Sequence, residues 1–280
     1  MNHHPTLHVI TYHYVRDLPN TRFPRIKGLL TDTFRAQVDW LSERYEMATW
    51  ASALAFLRSE YVPASDLCIL TFDDGLKEHA CDVTSILADR KIQGLFFLTT
   101  AALEEHSVMQ VHKSHFLMAF LGFEQYRSRF LRRLEERAPE EDITIDPEEA
   151  CRFYRFDATE VAQFKYLLST RLSSTTRRQI LDSLFAECFG REDAFAEELY
   201  VSWDDAREMQ KAGMILGGHS HRHDMLAQLS VTAQWEDLAT STRLLRDRLD
   251  EQNHWPFCYP YGSPNESYNE TTMKALRELG

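Results

Sequence analysis

The stretch that most constrains this chain is Leu67-Cys-Ile-Leu-Thr-Phe72, followed at once by Asp73-Asp74-Gly75. The run reads as a buried strand that delivers two carboxylates to the rim of a sheet, with Gly75 allowing a tight exit. Side chains alternate along a strand, so adjacent aspartates cannot share one direction. One can hold a cation while its neighbour does proton chemistry. An isolated pattern of this kind is also what an Asp-rich turn looks like. The rest of the chain has to decide between the two.

The surrounding elements favour a sheet. Leu7 to His13 reads as a first strand, Asp17 to Lys27 as a loop with two prolines, and Thr31 as the cap of a helix reaching about Tyr45. Phe34, Val38, Leu41 and Tyr45 share one face of that helix. A short strand over 46–49 and a helix over 51–58 follow. After the 67–72 strand come a helix over 77–90 and a buried strand over 94–99. Strand alternating with helix is the pattern of a parallel α/β fold. The rhythm stops at about Ala101. From there to Leu199 only helices are predicted, over 111–122, 125–137, 147–156, 159–172 and 175–189, the last capped by Thr175. This segment, 101–199, reads as a helical insertion whose apolar stripes form its own core. The alternation resumes with a helix over 203–211 capped by Ser202, a strand over 214–218, a helix from Val231 capped by Ser230, a short strand and turn over 256–262, and a helix over 267–279. Residues 1–100 and 200–280 are therefore expected to form the α/β body. A helix closing on Gly280 usually announces another strand, so the chain is expected to stop short of a complete sheet.

Composition narrows the function classes. The formal net charge is −12, which argues against a nucleic-acid partner. No apolar run has membrane-spanning length, and the first residues lack the basic-then-apolar layout of a signal peptide. The five cysteines are scattered and odd in number, as expected of reduced thiols. A cytoplasmic protein is expected from these features.

A second cluster, Gly217-Gly-His-Ser-His-Arg-His-Asp224, ends the predicted 214–218 strand. If the segment turns helical, His219 and His223 fall on one face and can meet one metal ion, with His221 out of phase. The two glycines suit a crowded strand end. Alone, such a loop is also an ordinary solvated patch. With Asp73-Asp74 at another strand end, it completes a His-His-Asp set that leaves positions open for water, the composition of a catalytic zinc site.

Taken together and in this order, the two clusters resemble the polysaccharide deacetylase family, the NodB homology domain. Thr71-Phe-Asp-Asp-Gly75 matches its first motif and His219-Ser-His-Arg-His223 its second; Asp224 to Ser230 fits the usual continuation. Tyr12-His-Tyr-Val15 and Tyr200 to Asp204 are similar to flanking stretches. The resemblance covers about 7–100 and 200–280. It implies a distorted seven-stranded (β/α) barrel, here lacking its last strands, with the site at the C-terminal strand ends. It also implies that Asp74, His219 and His223 hold a divalent metal, zinc first and cobalt or manganese next. Asp73 then serves as general base toward the water such an ion activates. The backbone N–H of Tyr261 would serve the oxyanion, with Pro260 and His13 contacting substrate. The third motif departs from the family: Cys258-Tyr-Pro-Tyr-Gly262 carries cysteine where an arginine usually steadies the base. Cysteine cannot make that charge-assisted bond, and Cys258 reads as a small buried residue. The histidine that protonates the leaving amine is expected beyond Gly280.

The implied activity is removal of acetyl groups from an N-acetylated sugar or polysaccharide precursor, with the helices as a lid or substrate-selecting part. Two rivals remain: a hydrolase of non-sugar amides, separable by substrate profiling, and a catalytically impaired carbohydrate-binding protein. The last would hold about one zinc and hydrolyse nothing.

Overall fold

The computed structural model describes residues 4–141 and 143–280; the first three positions of the expected α/β body lie outside the described residues. The strands are β1 (Leu7–Tyr12), β2 (Val15–Arg16), β3 (Leu29–Leu30), β4 (Glu46–Met47), β5 (Leu67–Phe72), β6 (Gly94–Leu98) and β7 (Ile215–Gly218). All six residues of β5 are buried, as a strand at the centre of a parallel sheet requires. Burying Leu67, Ile69, Leu70 and Phe72 contributes about 1.5–3 kcal/mol per side chain. β1 runs parallel along one edge of β5, from Leu7 opposite Leu67 to Tyr12 opposite Phe72. The other edge is shared: β4 pairs at Leu67 and Cys68, and β6 at Leu70 to Phe72. β7 follows β6, and Phe257 adds a single parallel bridge to Gly218. β2 and β3 form a separate pair that the sequence does not announce.

The barrel implied by the resemblance, expected to lack its last strands, is not seen as a closed sheet among the described residues. The fold is α/β with a parallel sheet, but among the described residues that sheet has five strands in open order. Closure needs two neighbours for every strand. β1 uses only its β5 side, and its Val9 is 56% exposed.

The glycines of β7 have a steric reason. A Cβ on Gly217 would stand 2.3 Å from the Pro256 carbonyl oxygen. Bare backbone lets the 256–258 segment lie against β7, where Gly218 N–H donates to Pro256 and Cys258 N–H donates to Gly218, both at 2.9 Å.

The helices open with α1 (Thr31–Ser42), which buries Phe34, Val38 and Leu41. Thr31 is its first helical residue and not its cap, because Leu30 is held extended in β3. Thr49 caps α2 (Trp50–Leu57) through a reciprocal pair with Ser52. The single helix expected over 77–90 contains a wider π turn, His79–Val83, before α3 (Thr84–Asp89). A short α4 (Thr100–Glu104) follows β6.

The chain forms two compact units, one of Met1–Thr21, Lys27–Ser107 and Asp193–Gly280, the other of Arg22–Ile26 and Val108–Glu192. The second is helical: α5 (Gln110–Leu121), α6 (Phe123–Arg137), α7 (Pro147–Phe153), α8 (Thr159–Tyr166) and α9 (Ser174–Phe189). Tyr126, Phe130, Phe164, Leu181 and Leu184 share its core. Lys113 is 2% exposed there and donates to Glu192 at 2.7 Å and to Asp182. The cap of α9 is Ser173, whose hydroxyl accepts the Thr176 N–H, and not Thr175. α10 (Glu192–Leu199) was not anticipated.

In the first unit, α11 (Trp203–Lys211) has Ser202 and Asp205 as its capping pair, and Ser230 caps α12 (Val231–Arg248), both as expected. α13 (Glu270–Leu279) starts later than expected, at its cap Asn269. Ser267 is tied back to the Ser263 N–H at 2.9 Å instead. No helix among the described residues is long and apolar enough to cross a membrane.

Candidate metal centre

Asp73 and Asp74 leave β5 in different directions because the backbone changes hand between them. Asp73 N–H still donates to the Tyr12 carbonyl at 3.0 Å, one step beyond the β1–β5 ladder. Asp74 then adopts φ 79° and Gly75 φ 63°. Aspartate tolerates this left-handed region better than most residues, and glycine is at ease in it. The exit is fixed by Val201 N–H donating to the Gly75 carbonyl at 2.9 Å.

His219 extends β7 in the same way, its N–H donating to the Leu98 carbonyl at 2.9 Å. Beyond it the chain does not become helical, which corrects the idea that His219 and His223 share a helix face. Ser220 and His223 are left-handed, at φ 62° and 59°, and the loop between them folds the second imidazole back on the first. Side chains hold that loop. Ser220 Oγ accepts the His223 N–H at 2.9 Å. The Asp237 carboxylate, buried on α12, accepts the N–H groups of His221 and Arg222 at 2.8 and 3.0 Å. Burial pushes the Asp237 pKa up, and its two N–H donors oppose that. His221 points away, as expected, to Thr100 Oγ1 at 2.9 Å and Glu105 at 3.0 Å.

The loops bring three sequence-distant groups together. Asp74 Oδ1 lies 3.5 Å from His219 Nε2 and 3.4 Å from His223 Nε2, and all three side chains are nearly buried. Donors about 2.0–2.2 Å from one cation stand about 3.3–3.6 Å apart at a tetrahedral angle. The spacing therefore fits a divalent ion. The imidazole orientation fits as well: His219 Nδ1 lies 2.8 Å from the Cys258 carbonyl, to which it donates, so Nε2 carries the open lone pair.

Asp73 stands beside this triad and outside it. Burial raises its pKa above the usual carboxylate range, and the neighbouring Asp74 adds to that. His219, His13 and the Cys258 thiol oppose the rise. His13 Nε2 is 3.8 Å from Asp73 Oδ2, with a half-exposed ring facing outward. Cys258 is more than a packed apolar residue: its Sγ is 3.6 Å from the same oxygen, which it reaches as a weak thiol donor. Burial raises the thiol pKa steeply, so it stays protonated there. Asp73 Oδ1 is buried and accepts no hydrogen bond from the described residues. Pro260 is buried, while Tyr261 is 44% exposed with its ring centroid 5.0 Å from that of His223.

Two supports were not read from the sequence. Asp237 carried a usable signal, an acid three residues from Gln234 and four from Ser241 on a buried face of α12. His79 carried none. It is wholly buried, and its Nε2 donates to the His13 carbonyl at 2.9 Å.

Comparisons with known proteins bear on the family pattern and the fold. Residues 169–280 match the sequence family described as Polysaccharide deacetylase. The match includes His219 to His223 and Cys258 to Gly262 but not Asp73 and Asp74. No curated protein matches the chain. Among solved structures, the deacetylase PplD of Streptococcus pyogenes in complex with acetate is 15% identical, with TM-score 0.53 over 98% of this chain and 80% of that one. IcaB from Ammonifex degensii is 18% identical, with TM-score 0.54 over 99% and 81%. The BpsB deacetylase domain from Bordetella bronchiseptica is 16% identical, with TM-score 0.53 over 100% and 88%. At these identities the likeness is one of fold. Residues 169–280 thus carry the sequence pattern of the polysaccharide deacetylase family, on a chain folded like solved deacetylases.

Proposed function

We propose that this chain is a divalent-cation-dependent hydrolase that removes acetyl groups from an N-acetylated sugar or polysaccharide precursor. The carrying observation is the convergence of Asp74, His219 and His223 with a second carboxylate, Asp73, left outside the triad. Asp74, His219 and His223 would hold the ion, zinc first and cobalt or manganese as substitutes. Such an ion supplies a Lewis acid that activates water and polarises an acyl carbonyl.

The protein's own groups do the rest. Asp73 takes the proton from the attacking water, as a raised carboxylate beside a fixed site is suited to do. As the new C–O bond forms, negative charge gathers on the acyl oxygen, where the Tyr261 backbone N–H is the proposed donor. The C–N bond then breaks, and the amine leaves with the proton that Asp73 took from the water. His13, half-exposed beside Asp73, contacts the sugar at the rim. Pro260 fixes the turn that presents Tyr261. A cytoplasmic setting belongs to the proposal on sequence grounds alone.

The test is acetate release from N-acetylglucosamine oligomers by the purified chain loaded with zinc, cobalt or manganese. Linear and cyclic amides serve as comparison substrates. Asp73→Asn should keep the metal and lose about 10²–10⁴-fold in rate. Turnover of amides alone, no turnover at all, or an Asp73→Asn variant as fast as the parent would overturn the proposal.

A further inference from the structure

Position 258 places a sulfur beside Asp73, and that sulfur changes what the site can bind. Asp73, His219 and Cys258 form a second donor set whose ligand atoms all lie within 4.8 Å of one another. The Cys258 Sγ to Asp73 Oδ2 distance is 3.6 Å. A sulfur at about 2.3 Å and an oxygen at about 2.1 Å from one tetrahedral cation would stand that far apart. Independently of the thiol, Asp73 is 5% exposed, and its Oδ1 is buried with no hydrogen-bond partner among the described residues. A buried, unpartnered carboxylate oxygen needs a cation or a donor.

We infer that Asp73, His219 and Cys258 are a second cation position, selective for a soft, thiophilic divalent ion and exclusive of the Asp74–His219–His223 position. Selectivity follows from the sulfur, since thiolate prefers soft ions while the carboxylate–diimidazole triad does not discriminate in that way. Exclusivity follows from His219. Its Nδ1 is held by the Cys258 carbonyl, so only Nε2 is open and one ion at a time can use it. On binding, the S–H proton leaves to solvent, an S–metal bond forms, and no electron changes hands. An ion in this position also occupies Asp73. Only that inhibitory consequence rests on the proposed deacetylase activity; the binding itself does not.

The experiment uses the full chain stripped with chelator and titrated with Cd²⁺, read by the sulfur-to-cadmium charge-transfer absorption in the near ultraviolet. The parent should saturate at one equivalent. His223→Asn, which removes a ligand of the other position only, should keep the band. Cys258→Ser should lose it, with circular dichroism showing that the variant is folded, and Asp73→Asn should weaken cadmium binding. No band in the parent, a full band in Cys258→Ser, or loss of the band in His223→Asn would each overturn the assignment. None of these readings involves turnover, so failure here leaves the deacetylase proposal standing, and the reverse holds.

Discussion

Acidifying the protein should weaken it through one buried imidazole, that of His79. His79 is wholly buried, its ring centroid 5.6 Å from that of Phe72 and 5.7 Å from that of Phe96. Burial pushes its pKa from 6.5 down to about 4, with the hydrogen bond to the His13 carbonyl acting the other way. As pH falls, the unfolded chain takes up this proton near its ordinary value and the native protein only near the depressed one. Between the two, the unfolded state binds more protons, so stability falls with pH. Above about pH 6.5 the contribution is whole; it is lost progressively toward pH 4. The gap between about 4 and 6.5 amounts to about 3 kcal/mol in full, and to about 2 kcal/mol by pH 5. Urea unfolding of the parent and of His79→Gln at pH 7 and pH 5 measures it. Glutamine retains an N–H for the His13 carbonyl and does not titrate. The parent should lose about 2 kcal/mol more than the variant over that interval. Equal losses in both would refute the reasoning. So would a native His79 ring resonance that titrates near pH 6.5 by NMR, a reading that needs no variant.

Three further outcomes follow from packing and charge. Gly217→Ala would drive a methyl into the Pro256 carbonyl oxygen at 2.3 Å and should destabilise by about 2–3 kcal/mol, seen as a lower urea midpoint. Lys113→Met leaves Asp182 and Glu192 with their partial access to water and should cost only about 1–2 kcal/mol. Neutralising both carboxylates strands the buried ammonium and should cost about 3–5 kcal/mol, with thermal melts separating the two cases. Asp237→Ala removes the acceptor shared by His221 and Arg222 and should weaken divalent-metal binding by about 10–100-fold by direct titration; an unchanged affinity would count against a role for Asp237 in holding the loop.

The parts of the fold legible from sequence were those set by local chemistry. β5 is bounded by the residues its apolar run names, and the Ser202 and Ser230 caps precede their helices because a hydroxyl before an amphipathic run has a free N–H to accept. Thr31 and Thr175 failed as caps for the same kind of reason. Leu30 is drawn into a strand pair, and Ser173 offers its hydroxyl first. Neither competition is visible without the neighbouring chain. At the site, motif spacing named the residues that meet, but the path by which they meet was misread. A four-residue separation suggests a helix; the loop from Ser220 to His223 achieves the approach with left-handed backbone instead. The role of Cys258 was also hidden, because the apolar packing expected of it and its thiol contact with Asp73 both occur at one small residue.

Four residues around the centre, Asp74, Ser220, His223 and Tyr261, have φ between 59° and 79°. For side-chain-bearing residues this conformation costs about 1–2 kcal/mol each. Substitution at these positions therefore changes two quantities at once, the chemistry offered and the ease of bending. An alanine at 223 removes an imidazole and also leaves a methyl on an unfavourable bend; a glycine there removes the imidazole and relaxes the bend. Reading any activity survey of this centre fairly requires both replacements side by side, with asparagine as a polar control that accepts the same turn.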